Sequence, residues 1–197
     1  MNLFYLDEDL DRCAEYHIDK HVLKMQLEAA QLMTTTLWVD KYLGFIPRKL
    51  TSEELAIINE AKKQEPAIEE RKFTRYLPTH ANHPSAVWAR SSLEHHYWIG
   101  CYVNALNSEG IYRGYKPHAS CDEVNRMPEP TRLPYMGWTP PTLAMPDHLK
   151  SDDHVASYRM FYILDKAPFA SWKVRGKPYW WDDELVSKQK GRISGRP

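Results

Sequence analysis

Two imidazoles, an ammonium and a carboxylate recur between residues 17 and 28: His17, His21, Lys24 and Glu28. On a helix at 100° per residue they fall within a sector roughly 60° wide, with Gln31 at its margin. Met25, Leu27, Ala29 and Leu32 flank that sector. The polar ridge is therefore narrow, unlike the broad Lys/Glu face of an ordinary amphipathic helix. Such a ridge suits the wall of a cleft. His17, His21 and Glu28 are expected to form its acid–base set, with Lys20 and Lys24 as the cations for a phosphate. His-x-x-x-His on a helix can also bind a metal, but the Lys24 ammonium would repel a cation at that range. Ile18 also stands where a zincin carries its glutamate. The expectation is an anion site with no metal and no cofactor; a solvated helix face is the competing reading.

A second constellation is His80-Ala81-Asn82-His83-Pro84, with Arg90 and Glu94 further on. Proline suits a first helical turn, and Asn82 or His83 can cap it. The free amides of a helix start attract anions. His80 and His83 are thus added to the catalytic set and Arg90 to the phosphate contacts. A third group interleaves cations and rings: Arg159, Lys166, Trp172, Lys173, Arg175, Lys177, Trp180 and Trp181. Arg159 and Lys166 are expected to hold phosphate and Trp180 to stack a base, with Trp172 in the core.

The elements that position these groups can be read from periodicity and punctuation. Residues 2–6, NLFYL, form a short apolar run. Asp7, Glu8 and Asp9 suit the start of a helix running from about residue 9 to about Val39. Thr51 and Glu54 fit a capping box for the next helix. A long helix is expected from Pro84 to Ser108, with Trp88, His95, Ile99, Val103 and Leu106 as its core face and Gly110 closing it. Seven prolines between Pro117 and Pro146 call for an extended, packed connection. Ser151-Asp152-Asp153 caps a further helix, before an aromatic finish.

The predicted fold is mainly α: a compact multi-helix single domain over residues 1–186, with a long proline-rich connection and an aromatic C-terminal segment. Residues 187–197 are expected to be a basic, flexible tail. The 43% hydrophobic content and the 7 Trp and 12 Tyr support one sizeable core. Charges balance at 26 against 26, which disfavours global attraction of polyanions but leaves room for a local basic groove. Three widely spaced cysteines give neither a zinc ribbon nor a disulfide scaffold and point to a reducing cytoplasm. No apolar run approaches a membrane span, so no membrane partner is expected.

The run His83-Pro84, Trp88, Leu93, Arg113-Gly114-Tyr115 and His118 resembles the second half of the pyrimidine-dimer DNA glycosylase family, the phage endonuclease V type. Ala14-Glu15-Tyr16 entering a helix is similar as well. The fuller pattern (NLFYLD, HxxxHxxKM, NHPxxxWxR, MPD and a Trp-rich end) resembles an uncharacterised phage and bacterial family. The resemblance implies a helical protein that binds DNA, extrudes a nucleotide and attacks the sugar's anomeric carbon with an N-terminal amine, assisted by a glutamate. Ile18 stands where that glutamate is expected, and Asn2 stands where the family's small second residue belongs.

The leading expectation is a DNA- or nucleotide-acting enzyme, glycosylase-like, cleaving or modifying at the base–sugar bond, in the cytoplasm (of a host cell if phage-encoded). One alternative is a metal-dependent nucleotide hydrolase using His17, His21 and His80 or His83. Another is a noncatalytic phage protein that engages a host factor through the proline-rich segment and the basic tail.

Overall fold

The computed structural model describes residues 2–194. Among them lie eight α-helices and no strand. They are α1 (Leu10–Tyr16), α2 (Asp19–Tyr42), α3 (Ser52–Lys63), α4 (Pro84–Ala89), α5 (Leu93–Tyr112), α6 (Ala119–Val124), α7 (His154–Phe161) and α8 (Asp183–Ser194). The mainly α expectation holds. The two longest helices, α2 and α5, pack side by side, with α1, α4 and α6 against them. Ile18, Met25 and Leu32 meet Ile99, Tyr102, Val103 and Leu106 in the core. The N-terminal run contributes Leu3, Phe4, Tyr5 and Leu6, all buried, so it crosses the core as an extended arm.

Helix starts form where local chemistry favours them. Thr51 and Glu54 close the capping box on α3. His83 caps α4 ahead of Pro84, and Asp153 accepts from the Ala156 amide at the start of α7.

The breaks differ from expectation. The single helix from residue 9 to 39 is two helices, because His17 (ψ 137°) and Ile18 (ψ 152°) are extended. Arg113 explains the corner. Its buried guanidinium donates to the Glu15 carbonyl (2.8 Å), the His17 carbonyl (2.9 Å), Asp19 (2.9 Å) and Glu109 (2.6 Å). It satisfies carbonyls that a continuing helix would otherwise have bonded. The helix expected over 84–108 is likewise α4 and α5, separated at residues 90–92. There Ser91 Oγ donates to the Trp88 carbonyl (2.8 Å) and Ser92 Oγ bonds Glu94. Gly110 lies inside α5; the chain turns instead at Gly114, whose φ of +85° favours glycine.

The proline-rich connection contains α6, so it is not wholly extended. Asp40 holds it by accepting the Thr131 and Arg132 amides (2.9 and 2.8 Å). The connection expected to be packed leaves its Tyr135, Met136 and Trp138 exposed. The expected tail from residue 187 is helical as far as Ser194; residues 195–197 lie outside the described residues.

Candidate functional site

His17 and His21, one turn apart in sequence, are separated by the corner between α1 and α2. His17 is fully buried. Its Nδ1 donates to the Cys13 carbonyl (2.7 Å), and its Nε2 accepts from the Tyr102 hydroxyl (2.8 Å). Burial pushes its pKa down to about 3. Both nitrogens are satisfied inside the core, so His17 holds the fold together and does not reach a cleft.

His21 lines a hollow of about 390 Å³ together with Asn2, Phe4, Lys20, Lys24, Met25, Glu28, Lys166 and Phe169. The walls are the N-terminal arm, the first turns of α2 and the chain after α7. One turn of π-helix, Tyr162–Lys166, swings Lys166 into this wall. His21 stacks on Phe4 (ring centroids 4.7 Å apart, 11° between planes) and bonds the Tyr162 hydroxyl through Nδ1 (2.6 Å). Burial, with His17 and Lys166 adding to it, lowers the His21 pKa to about 3, and burial holds the Tyr162 hydroxyl protonated. That hydroxyl therefore donates to Nδ1, leaving Nε2 as an N–H donor. His21, expected as a member of the acid–base set, is here a neutral hydrogen-bond donor.

Glu28 is the one carboxylate among the residues lining the hollow. Its Oε2 accepts from the Asn2 backbone nitrogen (3.0 Å), and its Oε1 pairs with Lys24 (3.1 Å). Asn2 Nδ2 donates to the Ala144 carbonyl (3.1 Å), while the buried Asn2 Oδ1 has no hydrogen-bond partner. Lys20 lies over the Phe169 ring (5.6 Å) and Lys166 over Phe161 (4.6 Å), with Lys166 also bonded to Asp165 (2.5 Å). Three lysines thus face one carboxylate, beside a partly exposed aromatic ring. The lining suits an anionic ligand with a flat apolar part.

The second histidine motif comes close to this hollow without lining it. His83 Nδ1 accepts from the Ser85 amide (3.2 Å). Burial lowers the His83 pKa, and the nearby Glu28 carboxylate opposes that shift. His80 is exposed, in the left-handed region (φ +50°), with Nδ1 bonded to Thr79 Oγ1 (2.7 Å).

Three expected phosphate or base contacts lie elsewhere. Arg90 is buried and donates to the carbonyls of Ile46 (2.9 Å), Ala81 (2.6 Å) and Arg48 (2.5 Å). It ties the loop before α3 to the segment before α4. Arg159 donates to the Leu6 carbonyl (2.8 Å), Asp7 (3.0 Å) and the Tyr179 hydroxyl (3.1 Å), among the rings of Tyr16, Tyr179 and Trp180. Trp180 is half-buried against Tyr16 and Tyr162, while Tyr179 beside it is exposed. No three His, Cys, Asp or Glu side chains among the described residues are grouped to hold a metal ion. His17, His21 and His80 or His83, the set named for the hydrolase alternative, are therefore not grouped in this way.

Sequence reasoning missed Asn2, Phe4, Met25 and Phe169. Nothing local marks them, since each reaches the hollow through tertiary packing. Comparison with protein-family models, curated proteins and solved structures found no match.

Of the described helices, none is long and apolar enough to cross a membrane.

Proposed function

We propose that the hollow receives one nucleotide unit, of DNA or free, and that the protein cleaves at its base–sugar bond. The observation that carries this reading is Glu28, bonded to the Asn2 nitrogen at 3.0 Å on the edge of a three-lysine hollow. Lys20, Lys24 and Lys166 neutralise the phosphate, and Phe169 offers a face to the base. In hydrolysis a water oxygen forms the new bond to the anomeric carbon while the carbon–nitrogen bond to the base breaks. Glu28 takes the proton from that water, and its charge steadies the cationic sugar of the transition state. The departing base takes up a proton from solvent, while the neutral His21 N–H can only hydrogen-bond to it. This places the glutamate's task on Glu28 rather than on position 18, where the glycosylase resemblance would have it.

The test is release of free base from ultraviolet-irradiated duplex DNA, from undamaged duplex DNA and from thymidine 5′-monophosphate, followed by chromatography. Glu28→Gln keeps an oxygen to accept the Asn2 N–H and should slow release by about 10²–10⁴-fold while leaving the melting temperature nearly unchanged. Release at the unaltered rate from Glu28→Gln, or no release from any of the three substrates by the unaltered protein, would overturn the reading.

A further inference from the structure

The lysine hollow lies at the start of α2. A second basic hollow, lined from the 68–75 segment with Glu123 and Arg126, lies beyond the Trp38–Thr74 contact near its end. Lys20, Lys24, Glu28, Gln31, Thr35 and Trp38 share a sector of about 80° on this helix. Residues 74–83 run along the same face in the opposite direction. Trp38 Nε1 donates to Thr74 Oγ1 (2.9 Å), the Thr79 amide donates to Thr35 Oγ1 (3.1 Å), and His83 feels the Glu28 carboxylate. The second hollow, of about 340 Å³, opens beyond Thr74, where Arg71, Lys72, Arg75 and Arg126 stand with Glu69 and Glu123.

The cations there are of two kinds. Arg71 is structural, donating to the Pro66 carbonyl (3.2 Å) and the Arg75 carbonyl (2.8 Å). Arg126 pairs with Glu123 (3.2 Å), and Glu123 also accepts the Arg75 amide (2.5 Å). Lys72 and Arg75 are exposed, and among the described residues no carboxylate pairs with either side chain. From Lys24 to Trp38 the helix rises about 21 Å. That spans about six base pairs along one strand of duplex DNA, at 3.4 Å per step.

We propose that this second hollow grips the phosphate backbone of duplex DNA, about six base pairs from the nucleotide held at the lysine hollow. The proposal rests on the nucleic-acid reading above and adds the class of substrate to it: a duplex rather than a free nucleotide. Lys72 and Arg75 each neutralise a backbone phosphate, and the track between the hollows passes His80 and His83. Contacts of this kind set register and affinity without reading sequence.

The experiment compares the unaltered protein with a Lys72→Ala/Arg75→Ala variant. Binding to a fluorescein-labelled 16-base-pair duplex is followed by anisotropy across a salt series, and binding of thymidine 5′-monophosphate by calorimetry. Two lost phosphate contacts should weaken duplex binding by about tenfold or more and make the slope of log K against log salt shallower by about 2. Thymidine monophosphate should bind both proteins equally. Both side chains are exposed, so the variant is expected to fold. An unchanged salt slope overturns this inference and leaves the lysine-hollow reading standing. If the duplex still depends on Lys72 and Arg75 but thymidine monophosphate binds neither protein, the lysine-hollow reading fails and this contact survives. An unaltered protein that binds no duplex overturns the inference outright.

Discussion

The N-terminal arm separates two concavities that teach opposite lessons. Phe4 faces the lysine hollow, of about 390 Å³, while Tyr5 faces a groove of about 920 Å³ that also holds Trp98, Trp138, Arg12, Arg159 and Asp152. The groove is the roomier of the two, yet its surplus is negative: Asp7, Glu8, Asp152 and Asp153 stand against Arg12 and Arg159. Asp7 is paired with both Arg12 (3.3 Å) and Arg159 (3.0 Å), and Asp153 caps α7. The hollow keeps a surplus of two positive charges among its lining residues and an unpartnered amide oxygen on Asn2. Room alone does not make a site for an anion; a positive surplus beside an unsatisfied polar atom does.

The largest effect expected from that contrast is on turnover. Glu28→Gln should slow base release by about 10²–10⁴-fold, whereas Asp152→Asn, in the groove, should change it by less than about twofold. Equal losses would mean that the two concavities act together. The next contrast is in stability. Arg90→Ala empties a buried position and strands the carbonyls of Ile46, Ala81 and Arg48, that of Ala81 buried. It should cost about 3 kcal/mol in urea unfolding, against less than about 0.5 kcal/mol for the exposed Lys24→Ala.

Acid provides a third contrast. His17 and His21 sit near pKa 3 in the folded protein because they are buried, while an unfolded histidine titrates at about 6.5. The unfolded chain thus binds the extra protons. Stability should be complete above about pH 6.5 and fall as pH drops towards 3, by up to about 1.4 kcal/mol per pH unit for each such ring. A denaturation midpoint that stays level from pH 7 to pH 5 would mean that these rings are charged where they lie. A smaller effect is expected on affinity: Lys24→Ala should weaken thymidine monophosphate about five- to tenfold, the worth of a partly exposed charge contact. Smallest of all, Gly100→Ala places a methyl 3.9 Å from Met33 Cε, an ordinary contact. It should raise stability by about 0.5–1 kcal/mol through helix propensity.

Much of this architecture was legible in the residues, and what was not has a common cause. Helix starts could be read because Thr51 with Glu54, His83 with Pro84 and Asp153 act on amides within three residues of themselves. The helix breaks at 17–18 and 90–92 could not be read in the same way. The first depends on Arg113, more than 90 residues away in sequence, and the side chain of Arg90 reaches back to carbonyls more than 40 residues away. Lys20, Lys24, His21, Glu28 and Lys166 were identified from spacing and charge, and they do converge. His17 fell out of the ridge because the single-helix premise fails just there. Arg90 and Arg159 carried the right charge for phosphate, but burial turned each guanidinium towards carbonyl oxygens, a choice that only the tertiary structure makes.

The Arg113 corner also bears on the order of folding. Residues 9–42 taken alone have no reason to bend, since the groups that stabilise the elbow are supplied by Arg113, Ser171 and Lys173. A nascent chain emerging from the ribosome would hold this stretch as one straight rod, or as a frayed one. The angle needs both the end of α5 and the segment at Ser171–Lys173, and with these in place the arm and α2 flank a common space. The pocket is in this sense assembled late, by residues that never touch it.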